Sequence, residues 1–138
     1  MYKKVLAAVD GSDHSLRAIE QAVKITSKRE GVIDLIYVIS GETSKSDVLK
    51  NKSKMEIEHN RKAMLTRYEE KLASHNIQYE THIRNGEPGP TIVEFANENE
   101  YDVVVLGSRG LNKLQSMVLG SVSHKVAKRV SAPVLIVK

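Results

Sequence analysis

The 138-residue chain has no cysteine and no tryptophan, one phenylalanine and three prolines. Without cysteine it can have no thiol redox chemistry, no disulfide scaffold and no cysteine-ligated zinc. Five tyrosines complete its aromatics, a poor inventory for a platform on which several bases stack. Nucleic acid is therefore not an expected partner, even with a formal charge of +4. Long hydrophobic runs are also missing. The longest, residues 5–9, 103–106 and 134–137, are far too short to span a bilayer, so no membrane role is expected. Asp10 and Asp13 interrupt the N-terminal stretch where the apolar part of a secretory signal would lie. What is present, 41% hydrophobic and 28% charged residues, is globular composition. The expectation is one cytoplasmic domain, residues 1–138, with a mild preference for anionic ligands.

Residues 5–9, entered from Lys3-Lys4 and ended by Asp10, read as a strand buried on both faces, as in a parallel sheet. Ser12 can cap a helix, with Asp13 in its positive first turn. Leu16, Ile19, Ala22, Val23 and Thr26 follow at helical spacing, and Lys28, Arg29 and Gly31 supply stop signals. A second buried strand spans 32–39. Residues 42–51 are polar without a clear period and read as a loop running into a helix. From 54 to 74, Ile57, Met64, Leu65, Tyr68 and Leu72 form an apolar stripe among mixed charges, a solvated helix face. A more polar strand at 77–84 leads into a turn over 85–90. A short helix through Ile92, Val93, Phe95 and Ala96 precedes a strand at 103–106. Val122, Val126 and Val130 mark a last helix, which Pro133 separates from a strand at 134–137.

Five strands alternating with four helices predict an α/β fold, an open doubly wound parallel sheet with helices on both faces. Such sheets bind ligands at the carboxyl ends of strands, beside the switch in strand order. Attention therefore falls on Asp10 and Gly107. Gly107 and Gly110 follow the fourth strand, where absent Cβ atoms let backbone amides approach a ligand. Gly120 and Ser121 then open the last helix, whose unpaired amides and partial positive charge suit a phosphate. Ser121 or Ser123 can add a hydroxyl, and Arg109 and Lys113 a charge. A simple turn followed by a capped helix would use the same residues. Rival patterns are missing: residues 10–14 are not a dinucleotide-binding glycine loop, and no Walker A loop or hydrolase nucleophile elbow occurs. The third strand ends Ile83-Arg84-Asn85-Gly86, without the aspartate of a phospho-receiver domain. His14, His59, His75, His82 and His124 lack metalloprotease spacing and read as surface or capping residues, His124 nearest the proposed phosphates.

With Gly107, Gly110, Gly120 and Ser121 meeting the pattern G-x2-G-x9-G-S, the chain resembles the universal stress protein family. The likeness runs along nearly the whole chain: Lys3-Lys4-Val5-Leu6 with Asp10 ending the strand, Leu35-Ile36-Tyr37-Val38-Ile39, and Ala132-Pro133-Val134-Leu135-Ile136-Val137. It implies a Rossmann-like fold of the adenine nucleotide α hydrolase type, a homodimer, and the family's ATP-binding branch. Carried over, it puts Ala8, Val9 and Asp10 on the nucleoside side and Val38 against adenine through its backbone. Leu106 and Gly107 would flank the nucleotide. Arg109, Gly110, Gly120, Ser121, Val122 and Ser123 would surround its phosphates. Asp10 would accept from ribose, help hold a phosphate-bound Mg2+, or cap the turn into Ser12. Ala8 departs from the proline of many ATP-binding relatives, and Gly11 from a larger residue.

No general base besides Asp10 is visible, so hydrolysis should be slow or negligible. The expected function is an ATP-binding regulatory module of stress response, with a protein partner that the sequence does not name. The alternatives are a dimeric interaction protein with a vestigial nucleotide site and a genuine slow ATPase. Residues 134–137 form a flat apolar run that needs covering at a sheet edge, and a two-fold copy would cover it. Leu135→Lys or Ile136→Lys should therefore weaken a dimer measured by light scattering, and a monomeric parent protein would refute this.

Overall fold

The computed structural model of the chain describes residues 1–50, 52–109 and 119–138. Near-continuous apolar runs form the inner strands, because an inner parallel strand buries both its faces. These are β1 (Lys4–Val9), β2 (Val32–Ile39) and β4 (Val103–Gly107). The edges are β3 (Gln78–Asn85) and β5 (Val134–Val137). The strand order is β3-β2-β1-β4-β5 with every pairing parallel. This is the expected open, doubly wound sheet. Its winding reverses between β1 and β4.

Strand side chains alternate between two helical layers. Val5, Ala7, Val9, Leu35, Tyr37 and Val105 meet Ile19 and Ala22 of α1 (Asp13–Ile25), and Leu65, Tyr68 and Leu72 of α3 (Lys54–Ser74). Leu6, Ala8, Ile36, Val38, Val104 and Leu106 meet Ile92, Phe95 and Ala96 of α4 (Pro88–Glu98) and Val126 of α5 (Ser121–Arg129). One acid breaks the apolar pattern of β2. Asp34 is 8% exposed, and the Tyr101 hydroxyl donates to its Oδ2 at 2.7 Å. Burial, then that bond and the carboxylate's charge, push the Tyr101 pKa well above its ordinary range. Among the described residues no helix is long and apolar enough to cross a membrane.

Three boundaries differ from the sequence expectation. The polar stretch after β2 forms a fifth helix, α2 (Gly41–Leu49), separate from α3. Ser40 caps it by accepting the Thr43 amide at 3.1 Å. Its Val48 and Leu49 remain exposed, so no buried stripe announced it; Asn51 lies outside the described residues. Helix α4 begins at Pro88, inside the expected turn, because a proline in the first turn lacks only an amide the helix does not need. Strand β3 starts one residue late. The Ile77 amide closes the end of α3 by donating to the Leu72 carbonyl, and its side chain joins the α1–α3 layer.

The completely buried Leu6 supplies a test of this core. Leu6→Ala should cost about 3 kcal/mol, seen as a lower urea midpoint at constant slope. The exposed Leu49 changed to alanine should stay within about 0.5 kcal/mol. Equal effects would contradict the layer assignment.

Candidate functional site

The crest where winding reverses is built from two corners. Past β1 the chain turns through Gly11, whose φ of +92° favours glycine. Asp10 organises this turn. Its Oδ1 accepts the Ser12 amide at 2.9 Å and the Ser15 hydroxyl at 2.8 Å, while its own amide donates to Ser15 Oγ at 3.0 Å. Ser12 Oγ accepts the Ser15 amide at 3.2 Å, which caps α1. From the α3 side, the Tyr68 hydroxyl donates to the Ser12 carbonyl at 3.3 Å. Burial pushes that hydroxyl's pKa up, which keeps it a donor. Of the roles open to Asp10, capping the turn is thus visible directly. The residue stays partly exposed at the crest.

The second corner follows β4. A Cβ on Gly107 would lie 2.8 Å from the Cβ of His14 and 3.2 Å from that residue's carbonyl carbon. Only glycine lets the end of β4 approach the first turn of α1 so closely. The Gly107 carbonyl accepts the Ser123 hydroxyl at 2.6 Å. Next along, the Ser108 carbonyl accepts the Gly120 amide at 2.8 Å, and the Ser108 amide donates to the Val137 carbonyl at 2.8 Å. These bonds tie the start of α5 to the end of β4.

The helix starts then differ in a telling way. Helices α1, α2 and α3 are each capped by a serine side chain: Ser12, Ser40 and Ser53. Helices α4 and α5 have no side-chain cap: α4 starts after Glu87 with proline in its first turn, which removes an amide, whereas α5 begins on extended Gly120 and keeps its first amides. Its first helical bond runs from the His124 amide to the Gly120 carbonyl at 2.9 Å. The amides of Ser121, Val122 and Ser123 precede that bond and are not consumed by the helix. With the helix dipole they make an electropositive end beside the crest. The outer side of α5 adds the cations Lys125, Lys128 and Arg129, which with His124, Leu119 and Ser121 line a shallow concavity.

The expected site residues are distributed as follows. Ala8, Val38 and Leu106 are buried together in the α4–α5 layer, with Val122 packed against them. Val9 points into the opposite layer, so it can offer a crest ligand only its backbone. Gly107, Gly120 and Ser123 are bonded into one unit, as above. Ser123 is 3% exposed, and its hydroxyl is directed to a carbonyl, a positioning role. Ser121 is exposed and Arg109 partly buried. Gly110 and Lys113 lie outside the described residues.

Sequence reasoning missed His14. Expected as a surface or capping residue, it is 3% exposed, sits against Gly107, and has Arg17 Nη2 3.0 Å from its Nδ1. No spacing signals this, because the contact joins residues 93 positions apart, at the first turn of α1 and the end of β4. Gly107→Ala should therefore destabilise the fold by about 1–3 kcal/mol through overpacking on His14. Ser123→Ala should cost about 1–2 kcal/mol by leaving the Gly107 carbonyl without its donor. Urea unfolding measures both, and unchanged midpoints would contradict the contacts.

Comparison with known proteins agrees with this geometry. The family model described as the universal stress protein family matches residues 1–138. The chain is 33% identical to the universal stress protein YxiE of Bacillus subtilis, the alignment covering 100% of both. The solved structure of MJ0577, a universal stress protein of Methanocaldococcus jannaschii, superposes with a TM-score of 0.85 at 28% identity, covering 100% of this chain and 96% of that one. A universal stress protein solved in complex with cAMP superposes with a TM-score of 0.72 at 27% identity, covering 99% of this chain and 97% of that one. The chain belongs to the universal stress protein family.

Proposed function

We propose that this protein binds ATP at the crest between β1 and β4 and acts as a regulatory module with slow or negligible hydrolysis. The observation that carries the reading is the start of α5. It has no side-chain cap, opens on a glycine, and is held by Ser108 and Ser123 against the end of β4. Free amides at a helix N-terminus suit phosphate oxygens. The cAMP complex of a relative supports an adenine nucleotide as the ligand class. In this reading the base and ribose lie toward Val38, Ala8 and Asp10. The phosphates lie toward Gly107, Gly110, Gly120 and the residues after it, with Arg109 adding positive charge.

Asp10 is the carboxylate at the crest, and with its neighbouring hydroxyls it offers the hard oxygen chemistry that Mg2+ takes. A bound Mg2+ would neutralise phosphate charge there. Oδ1 of the same carboxylate accepts two hydrogen bonds, which fixes the group and leaves Oδ2 to face a ligand or ion. A carboxylate committed to the turn and to Mg2+ favours binding over turnover. Apolar, partly buried β5 at one sheet edge supports a homodimer through that strand, working in the cytoplasm with a protein partner in stress response.

Calorimetry with ATP and Mg2+ tests the reading. One nucleotide should bind per chain, and Gly120→Val should weaken binding by roughly tenfold or more, with an unchanged circular dichroism spectrum. Phosphate release should not exceed that of the Gly120→Val control; a clear excess would make the protein an ATPase instead. Absence of binding at millimolar nucleotide would defeat the proposal and leave a dimeric interaction protein with a vestigial site.

A further inference from the structure

Away from the crest, the α4 face of β2 and β3 gathers three potential metal ligands. The register sets Asp34 directly opposite Glu80, with His82 two residues further along β3 on the same face. One ligand atom from each lies within 4.8 Å of the others. His82 Nε2 is 3.5 Å from Asp34 Oδ2 and 3.9 Å from Glu80 Oε2. Two carboxylates placed opposite each other on neighbouring strands repel, and a hydrogen bond from Tyr101 offsets only part of the cost of burying Asp34. Among the described residues no lysine or arginine forms an ion pair with them. Lys4 Nζ lies over the Tyr101 ring at 4.8 Å, and the Arg84 guanidinium over the Phe95 ring at 5.1 Å.

A second observation concerns His82 itself. Its Nε2 is buried with no hydrogen-bond partner, yet it lies between the two carboxylate oxygens. With no hydrogen bond and a carboxylate oxygen on either side, that nitrogen is placed to share an ion with both acids. We propose that Asp34, Glu80 and His82 form a binding site for a zinc-class divalent ion, a function separate from nucleotide binding.

Chemistry and distances agree. One imidazole and two carboxylates suit zinc and its first-row neighbours, whereas Mg2+ and Ca2+ favour oxygen-only shells. Ligand atoms on a tetrahedral zinc stand about 3.3–3.5 Å apart, close to the separation of His82 and Asp34. Glu80, with its side chain 73% exposed, can close the remaining gap and marks the route of entry. The supporting groups are present. Tyr101 donates to Asp34 Oδ2, leaving a second lone pair on that oxygen. Phe95 lies 4.8 Å from the His82 ring centre to centre and fixes its plane. Such outer contacts orient metal ligands. Asp34 lies four residues before Val38, about 13 Å along β2, so the ion would not touch a nucleotide at the crest. It would instead staple edge strand β3 to β2.

The test uses the full, tag-free chain, stripped with chelator and titrated with Zn2+ in calorimetry without nucleotide. One equivalent should bind in the presence of a roughly hundredfold excess of Mg2+ and should raise the melting temperature. Co2+ should give the visible absorption bands of a tetrahedral site. His82→Gln should abolish uptake, and Glu80→Gln should weaken it more than roughly tenfold. Since Glu80 is exposed, the second variant decides the matter even where the first fails to fold. No uptake, or uptake unchanged in Glu80→Gln, would overturn the proposal. Neither result bears on ATP binding, which is measured separately without zinc.

Discussion

Val5, Leu6 and Ala7 are completely buried because β1 has a strand on each edge and a helical layer on each face. That two-sided burial constrains the rest of the molecule. A strand so placed must be apolar throughout and paired on both sides, here with β2 and β4. The chain reaches those neighbours only by winding first one way and then the other. The reversal separates the carboxyl ends of β1 and β4 in sequence while keeping them side by side in space. The crest is a consequence of how β1 is buried.

What makes the crest chemically useful is the economy of the contacts that shape it. Gly107 brings the end of β4 against His14. Ser123 and Gly120 then use their hydrogen bonds to seat α5 on the same strand end. Every polar group named in these contacts is satisfied inside the protein, and the first amides of α5 are the ones left over. Asp10 and Ser15 hold the opposite corner in the same manner. A ligand that meets this surface finds donors already fixed in place, which lowers the ordering cost of binding.

The fold was largely legible because its signals are local. Short apolar runs, serine caps and valines four apart report strands and helices through periodicity, and β2, α3 and β5 fall where that reading put them. Helix α2 was not legible, since it buries no stripe and is marked chiefly by the cap at Ser40. The glycines of the crest could be located but not interpreted. That Gly107 faces His14, or that Ser123 serves a carbonyl, depends on which helix lies over which strand end. His82 shows the same limit. A histidine in a polar strand resembles a surface residue until the register brings Asp34 and Glu80 beside it.

The sequence by itself therefore determined the fold class, the positions of its strands, and the family to which the chain belongs, since these follow from patterns between near neighbours. Only the tertiary structure decided which residues meet. It turned Ser123 and His14 into supports of the crest, left the start of α5 uncapped beside β4, and gathered Asp34, Glu80 and His82 on one face. The reason is physical. Periodicity records whether a side chain is buried, whereas strand order and register, which act over tens of residues, select its partners.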